Sequence, residues 1–249
     1  GYQKILTDPS YKGQIINMTY PLIGNYGISR IDNESEKVHA FGVVVKDLCD
    51  APSNSNSIMT IDEWLRNMEV PGVFDTRQIT KKIRNKGTVK CVISTEGISI
   101  SEAARRCAEA ELRGDWMKEV GVKEKVELKS LADSDEKPFS VAVMDFGVKG
   151  NILTCLRERN CDLTIYPYGT SAETILAGKP DGIFLTNGPG DPEEATEAIE
   201  EVKKLISANE APMIGICMGH QVLALAFGGK TYKLKYGHRG GNHGVFDKN

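Results

Sequence analysis

GICMGHQ, residues 215–221, joins the apolar run PMI to a second apolar run, VLALAFGG, and it restricts the fold of the carboxyl-terminal half more than any other stretch. A strand that passes through G-x-C-x-G into a helix must turn sharply, and the glycines make room for a side chain forced out at the apex, as in a nucleophile elbow. There Cys217 meets the unpaired N–H groups and partial positive charge of a helix amino end, which are expected to pull its thiol below the ordinary value of about 8.5. The backbone N–H of Met218 is available to hold an oxyanion. On the pattern alone, a small hydrophobe closing a buried strand is the competing reading of Cys217.

The surrounding pattern alternates strand and helix. SVAVMD (140–145) reads as a strand, NILTCLRERN as a helix with Ile152, Leu153 and Leu156 at helical spacing, and DLTIYPY as a second strand. DGIFLTNG gives a third strand. Asp191 then caps a helix with Pro192 in its first turn and Ala195, Ile199, Val202 and Ile206 on one face. MIGI reads as a fourth, buried strand and HQVLALAFGG as a helix stopped by Gly228-Gly229. Parallel strands with crossover helices define an α/β, doubly wound, mostly parallel sheet, with working groups at the carboxyl ends of its strands.

TNGPGDP (186–192) follows the third strand and so lies at the same sheet edge as Cys217. Gly188 and Gly190 allow positive φ and a bare approach of backbone to ligand, which a second oxyanion donor or a substrate cradle requires. A tight turn with a helix cap is the alternative.

The polar segment LKSLADSDEKP (128–138) reads as a linker, so residues 1–130 are expected to form a smaller α+β domain and residues 138–249 the α/β domain. In the first, VHAFGVVVKDL and TVKCVIST read as strands. TIDEWLRNM opens on a Thr60–Glu63 capping box, DTRQITKKIRNKG is a basic amphipathic helix carrying Ile79 and Ile83, and SEAARRCAEA is a short helix.

Composition narrows the function classes. A net charge of −3 without a Lys/Arg block disfavours nucleic-acid and anionic-membrane partners. No apolar run approaches the roughly 20 residues that span a bilayer. The six cysteines form no CxxC pair and suit reduced thiols in the cytoplasm, and neither they nor the four histidines make a zinc spacing, so no metal is expected.

GICMGHQ and NGPGDP together resemble the class I glutamine amidotransferases, which carry G-x-C-x-G-x-Q with a GPG-D turn upstream. GYQKILTDPSYKGQIINMTYPLIGNYG, FDTRQITKKIRNKG, DFGVKGNI and KYGHRGGNHGV resemble, more narrowly, the small subunits of carbamoyl-phosphate synthetase, over nearly the whole chain. The resemblance implies hydrolysis of L-glutamine through a cysteinyl thioester. Ammonia then passes to a large subunit that makes carbamoyl phosphate from bicarbonate and ATP, for pyrimidine and arginine biosynthesis. It gives Cys217 the role of nucleophile and the N–H groups of Met218 and Gly188 that of oxyanion donors. Gln221 and Gly190, with Ser10 reaching across from the first domain, would contact the glutamine. No P-loop is visible, so ATP and Mg are expected on the partner, with no cofactor in this chain. A catalytically dead scaffold that binds the synthetase, and another cysteine hydrolase such as a peptidase, remain the other readings.

A thiolate also needs a proton donor and base, usually a histidine held by a carboxylate. His39 falls in an expected strand and reads as structural. His220 follows the nucleophile on the same helix and should sit below the elbow. His238 and His243, in a glycine-rich hairpin-like stretch, stay open as candidates. The family's H-P-E histidine and glutamate, and its Q-N-H-G-like loop, have no match here. Both ends read as cut, and the 249-residue chain alone is expected to turn over little or no glutamine.

Overall fold

The computed structural model describes residues 1–111, 114–235, 237, 244 and 246. Helix α1 (Tyr2–Leu6) leads through a 3₁₀ turn at Pro9–Tyr11 into β1 (Ile15–Asn17) and β2 (Leu22–Ile23), then β3 (Gly42–Val45) and β4 (Asp47–Leu48). Helix α2 (Ile61–Asn67) starts at the expected capping box, in which Thr60 and Glu63 each accept from the other's backbone N–H. Strand β5 (Gly72–Phe74) and helices α3 (Arg77–Lys86) and α4 (Ile100–Glu109) follow. The strands form two small parallel sheets, β1-β3-β5 and β2-β4, and their core gathers Leu6, Ile23, Val43, Val45, Ile61 and Trp64.

TVKCVIST departs from expectation: it forms no strand. Its Val89 and Val92 are exposed, so alternation along this stretch has no buried face to serve. Residues 88–96 instead lie against α4, with Lys90 Nζ on the Ala110 carbonyl at 2.8 Å and Glu96, just past the segment, paired with Arg106 at 3.3 Å.

Helix α5 (Trp116–Val120) and strand β6 (Val126–Leu128) come next, then β7 (Phe139–Met144), α6 (Gly150–Arg157), β8 (Cys161–Tyr166), α7 (Ala172–Ala177), β9 (Gly182–Leu185), α8 (Thr196–Ala208), β10 (Met213–Gly215) and α9 (Met218–Ala226). The sheet order is β10-β9-β7-β8-β6, parallel except for β6. Side chains alternate between its faces. Ala142, Met144, Ile183 and Leu185 pack beneath α7, α8 and α9, while Val143, Phe184, Leu163 and Ile165 pack with Ile152, Leu153 and Leu156 of α6. Both faces are thus covered, as a parallel sheet requires.

Two details differ from the sequence reading. The strand MIGI is an edge strand, with Ile214 61% exposed, because β10 pairs only with β9 among the described residues. Asp191 caps a 3₁₀ turn, Pro192–Glu194, and α8 begins separately after Ala195. Strand β6, which ends at Leu128 where the 128–138 segment begins, and Met117 of α5 pack with the second sheet. We propose on this packing that the division between the two units falls near residue 114. Among the described residues, no helix is long and apolar enough to cross a membrane.

His39 sits in the loop before β3 and not in a strand. Only 5% exposed, it hydrogen-bonds Ser35 Oγ through Nε2 at 3.0 Å, and its buried Nδ1 has no partner among the described residues. Burial, helped by Lys37 and Lys12 and opposed by Asp8, pushes its pKa down from 6.5 to about 4. Between those values the unfolded chain takes up a proton that the folded one refuses, so His39 lowers stability as pH falls from 6.5 towards 4. The loss is on the order of 3 kcal/mol. Denaturant titrations across that window should show a steeper decline in the unaltered protein than in His39→Gln, with the difference gone above pH 7.

Candidate active site

In the sheet, β7 is followed by β8 on one side and β9 joins β7 on the other, so the chain reverses its winding between β7 and β9. The crevice at such a switch point is where α/β proteins place ligands. Two loops leave the carboxyl ends of these strands, DFGVKG (145–150) after β7 and TNGPGDP (186–192) after β9. The elbow after β10 lies against the second.

Cys217 has φ 53° and ψ −105°, a conformation that non-glycine residues avoid. It is held from both sides. Ile216 N–H donates to the Leu185 carbonyl at 3.0 Å, and Gly219 N–H donates to the Thr186 carbonyl at 2.9 Å. Glycine is required at both flanks, since a Cβ on Gly219 would run into the Leu185 backbone and one on Gly215 into the backbone of Gly219. Met218 points the other way, 2% exposed in the core beneath the sheet, while Ile216 and Cys217 are exposed as residues and the Cys217 sulfur itself is crowded by surrounding protein.

The Met218 N–H reaches the Cys217 sulfur. Neither it nor the Gly188 N–H has an oxygen acceptor among the described residues. Gly188 owes its identity to close approach: a Cβ there would collide with the Phe146 carbonyl, and its φ is not positive as had been expected. Gly190 has φ +91° in open space, so there the backbone conformation is what excludes a side chain. Gln221, one turn into α9, folds its amide nitrogen back onto the Cys217 carbonyl at 3.3 Å. Gly190 and Pro189 also line a cavity of ≈ 420 Å³ with Trp116, Lys118, Tyr168 and Glu194, and Cys217 is not among its walls.

Ser10 is carried in from the first half. Its Oγ accepts from Asn187 Nδ2 at 3.0 Å, and its N–H donates to Asp8 Oδ1 at 2.9 Å. Asn187 is 3% exposed. Its second contact from Nδ2 is the Gly147 carbonyl at 2.9 Å, and its Oδ1 accepts from Lys149 N–H at 3.1 Å, so one side chain ties three loops together. Lys149 Nζ lies 3.4 Å from Asp8 Oδ2, and both charges act on Cys217. Asp145 anchors the β7 loop, accepting from Gly147 and Val148 N–H at 2.8 Å each and from Val122 N–H at 2.9 Å.

The thiol is not the depressed one that a helix amino end suggests. Crowding by surrounding protein raises the Cys217 pKa above its usual value. The Met218 N–H lowers it, Asp8 raises it and Lys149 lowers it, each to a smaller degree. Desolvation wins because the turn is wedged between two loops.

The structure therefore gathers Cys217, Met218, Gly188, Gly190, Gln221 and Ser10 around the β9 and β10 ends. Asp8, Lys149 and Asn187 join them and were missed, although ILTDPSY, DFGVKG and NGPGDP contain all three. His220 is exposed on α9, and His238 and His243 lie outside the described residues. Among the described residues no group of three His, Cys, Asp or Glu is placed to hold a metal ion.

Residues 142–249 match the family described as glutamine amidotransferase class-I, so the elbow and switch-point crevice belong to a domain of that class. Residues 1–93 match the carbamoyl-phosphate synthase small chain, CPSase domain. The carbamoyl phosphate synthase small chain of Clostridium acetobutylicum is 56% identical over 249 residues, covering 99% of this chain and 69% of the relative. That of Fusobacterium nucleatum is 48% identical, covering 98% and 67%. The pyrimidine-specific small chain of Bacillus subtilis is 44% identical, covering 98% and 66%. The chain belongs to the carbamoyl-phosphate synthase small chain family, the glutamine amidotransferase subunits of that synthase, and spans 66–69% of the length of these relatives.

Two outcomes follow from the geometry. Alkylation of Cys217 by iodoacetamide should climb with pH to a midpoint above that of a free cysteine; a midpoint below it would contradict the raised thiol. Gly219→Ala should lower stability by about 1–3 kcal/mol, because the added methyl meets backbone that cannot move aside. Thermal melting checks it.

Proposed function

We propose that Cys217 is the nucleophile of a glutaminase site and that the ammonia it releases feeds the synthesis of carbamoyl phosphate. The carrying observation is the strained elbow at Cys217, clamped to β9 beside the turn of Gly188, with the Met218 and Gly188 N–H groups both lacking an oxygen acceptor among the described residues. The thiolate adds to the side-chain amide carbon of glutamine, and the carbonyl oxygen, now negative, is held by those two N–H groups. Protonation of the amide nitrogen lets the C–N bond break, leaving ammonia and a thioester on Cys217. Water then attacks the thioester carbon and displaces the sulfur, giving glutamate.

Other residues serve binding and charge. Ser10 Oγ, which accepts from Asn187, keeps its own proton to donate to the substrate, and Gly190 and Gln221 complete the pocket. Lys149 favours the thiolate by its charge, and Asp8 restrains Lys149. None of the described residues is assigned the proton transfer to nitrogen, and no histidine among them hydrogen-bonds the sulfur. The reaction calls for no cofactor in this chain.

Ammonia set free in water is protonated and ceases to be a nucleophile, so we place the site against a large chain that receives it. ATP and Mg chemistry belongs to that partner, and the reaction to the cytoplasm.

Cys217→Ser, introduced into the complete small chain assembled with its large chain, should cut glutamine-dependent carbamoyl phosphate formation by at least about a thousandfold. Synthesis from added ammonia should persist. Survival of the glutamine-dependent reaction would favour a scaffold role.

A further inference from the structure

Helix α6 starts directly after Lys149, and its cap residue offers no side-chain acceptor. The first N–H groups of a helix have no partner within it. Here the first half of the molecule supplies them. The Glu34 carbonyl accepts from Gly150 N–H at 2.7 Å, and Glu34 Oε2 accepts from Asn151 N–H at 3.1 Å. Glu34 is only 6% exposed, and a buried carboxylate at this position is favoured by the positive end of the helix.

The other end of Glu34 reaches the opposite wall of the site. Its N–H donates to Thr7 Oγ1 at 2.9 Å, and the neighbouring Ser35 Oγ–H donates to the Thr7 carbonyl at 2.6 Å. Thr7 immediately precedes Asp8, and Gly150 immediately follows Lys149. One buried residue is therefore fastened to both sides of the Asp8–Lys149 pair. The fit at Gly150 is close, since a Cβ there would stand 3.1 Å from the Glu34 carbonyl.

We infer that Glu34 is a positioning residue for the glutamine site: by capping α6 while holding Thr7, it sets the distance between the Asp8–Ser10 turn and the Lys149 loop. It touches no reacting atom. It acts through Ser10, whose contact with Asn187 depends on that spacing. This rests on the glutaminase reading of the site.

The test labels Cys217 in the intact protein with a glutamine-shaped chloroketone and, separately, with iodoacetamide, which needs no pocket. Glu34→Ala should raise the chloroketone concentration for half-saturation by about tenfold, the effect of losing a helix cap carried into binding. The limiting rate and the iodoacetamide rate should change by less than about twofold. Glu34→Gln, which keeps an oxygen for Asn151 N–H, should recover most of the loss. In a Ser10→Ala background, Glu34→Ala should add less than about twofold, as expected for two residues acting in series.

Equal slowing of both reagents, full additivity with Ser10→Ala, or unchanged saturation in a folded Glu34→Ala would overturn the inference. If Glu34→Ala shows no cooperative melt, Gly150→Ala, which crowds the same carbonyl, carries the measurement with the same outcomes. Absence of saturable labelling in the unaltered protein overturns the glutaminase reading and the role of Glu34 with it. Saturable labelling that the Glu34 variants leave untouched overturns the second alone.

Discussion

The site depends on a backbone held where it does not want to be. A non-glycine residue at φ 53° and ψ −105° costs about 1–3 kcal/mol and persists only when its neighbours over-determine it. Two main-chain hydrogen bonds from the flanking residues 216 and 219 to the end of β9 do that here. Because the clamps run to β9, the turn that projects the sulfur and the turn that carries Gly188 move as one. The spacing between the Cys217 turn and the Gly188 turn is thereby a property of the sheet and not of a loose loop.

A second constraint joins the amino-terminal half to that sheet. Asn187 and Glu34 are both nearly inaccessible, and each reaches from one unit to the other. A buried polar group left without partners is expensive, so a shift of one unit against the other would strand several at once. Charge is arranged on the same seam. Lys149 and Asp8 pull the Cys217 thiol in opposite directions, and the larger influence on it is crowding.

What the sequence made legible was local and periodic. The elbow, the capping box at Thr60, the strands SVAVMD, DLTIYPY and DGIFLTNG and the helix stop at Gly228 each follow from a few neighbouring residues obeying one backbone rule. MIGI looked buried because it is apolar, yet whether an apolar strand is central or marginal depends on sheet order, which periodicity does not encode. TVKCVIST has strand composition, yet Val89, Cys91 and Val92 stay exposed and it joins no sheet among the described residues. Asp8, Lys149, Asn187 and Glu34 escaped notice for a related reason. Polar residues in loops gain meaning only from partners far along the chain, as with Ser10 and Asn187. Crowding of the Cys217 thiol is likewise a sum over atoms brought in by the tertiary fold, which a helix-end argument leaves out.

The rim of the sheet at β10 has a consequence for how this polypeptide behaves in solution. Among the described residues that strand has a neighbour on one side, and Ile214, Ile216 and Phe227 lie bare around it. An open ribbon edge with aliphatic side chains is a template on which another extended segment can zip. Within the described residues, that margin is where an incoming extended segment would meet unpaired backbone, and a lysine placed there would oppose it.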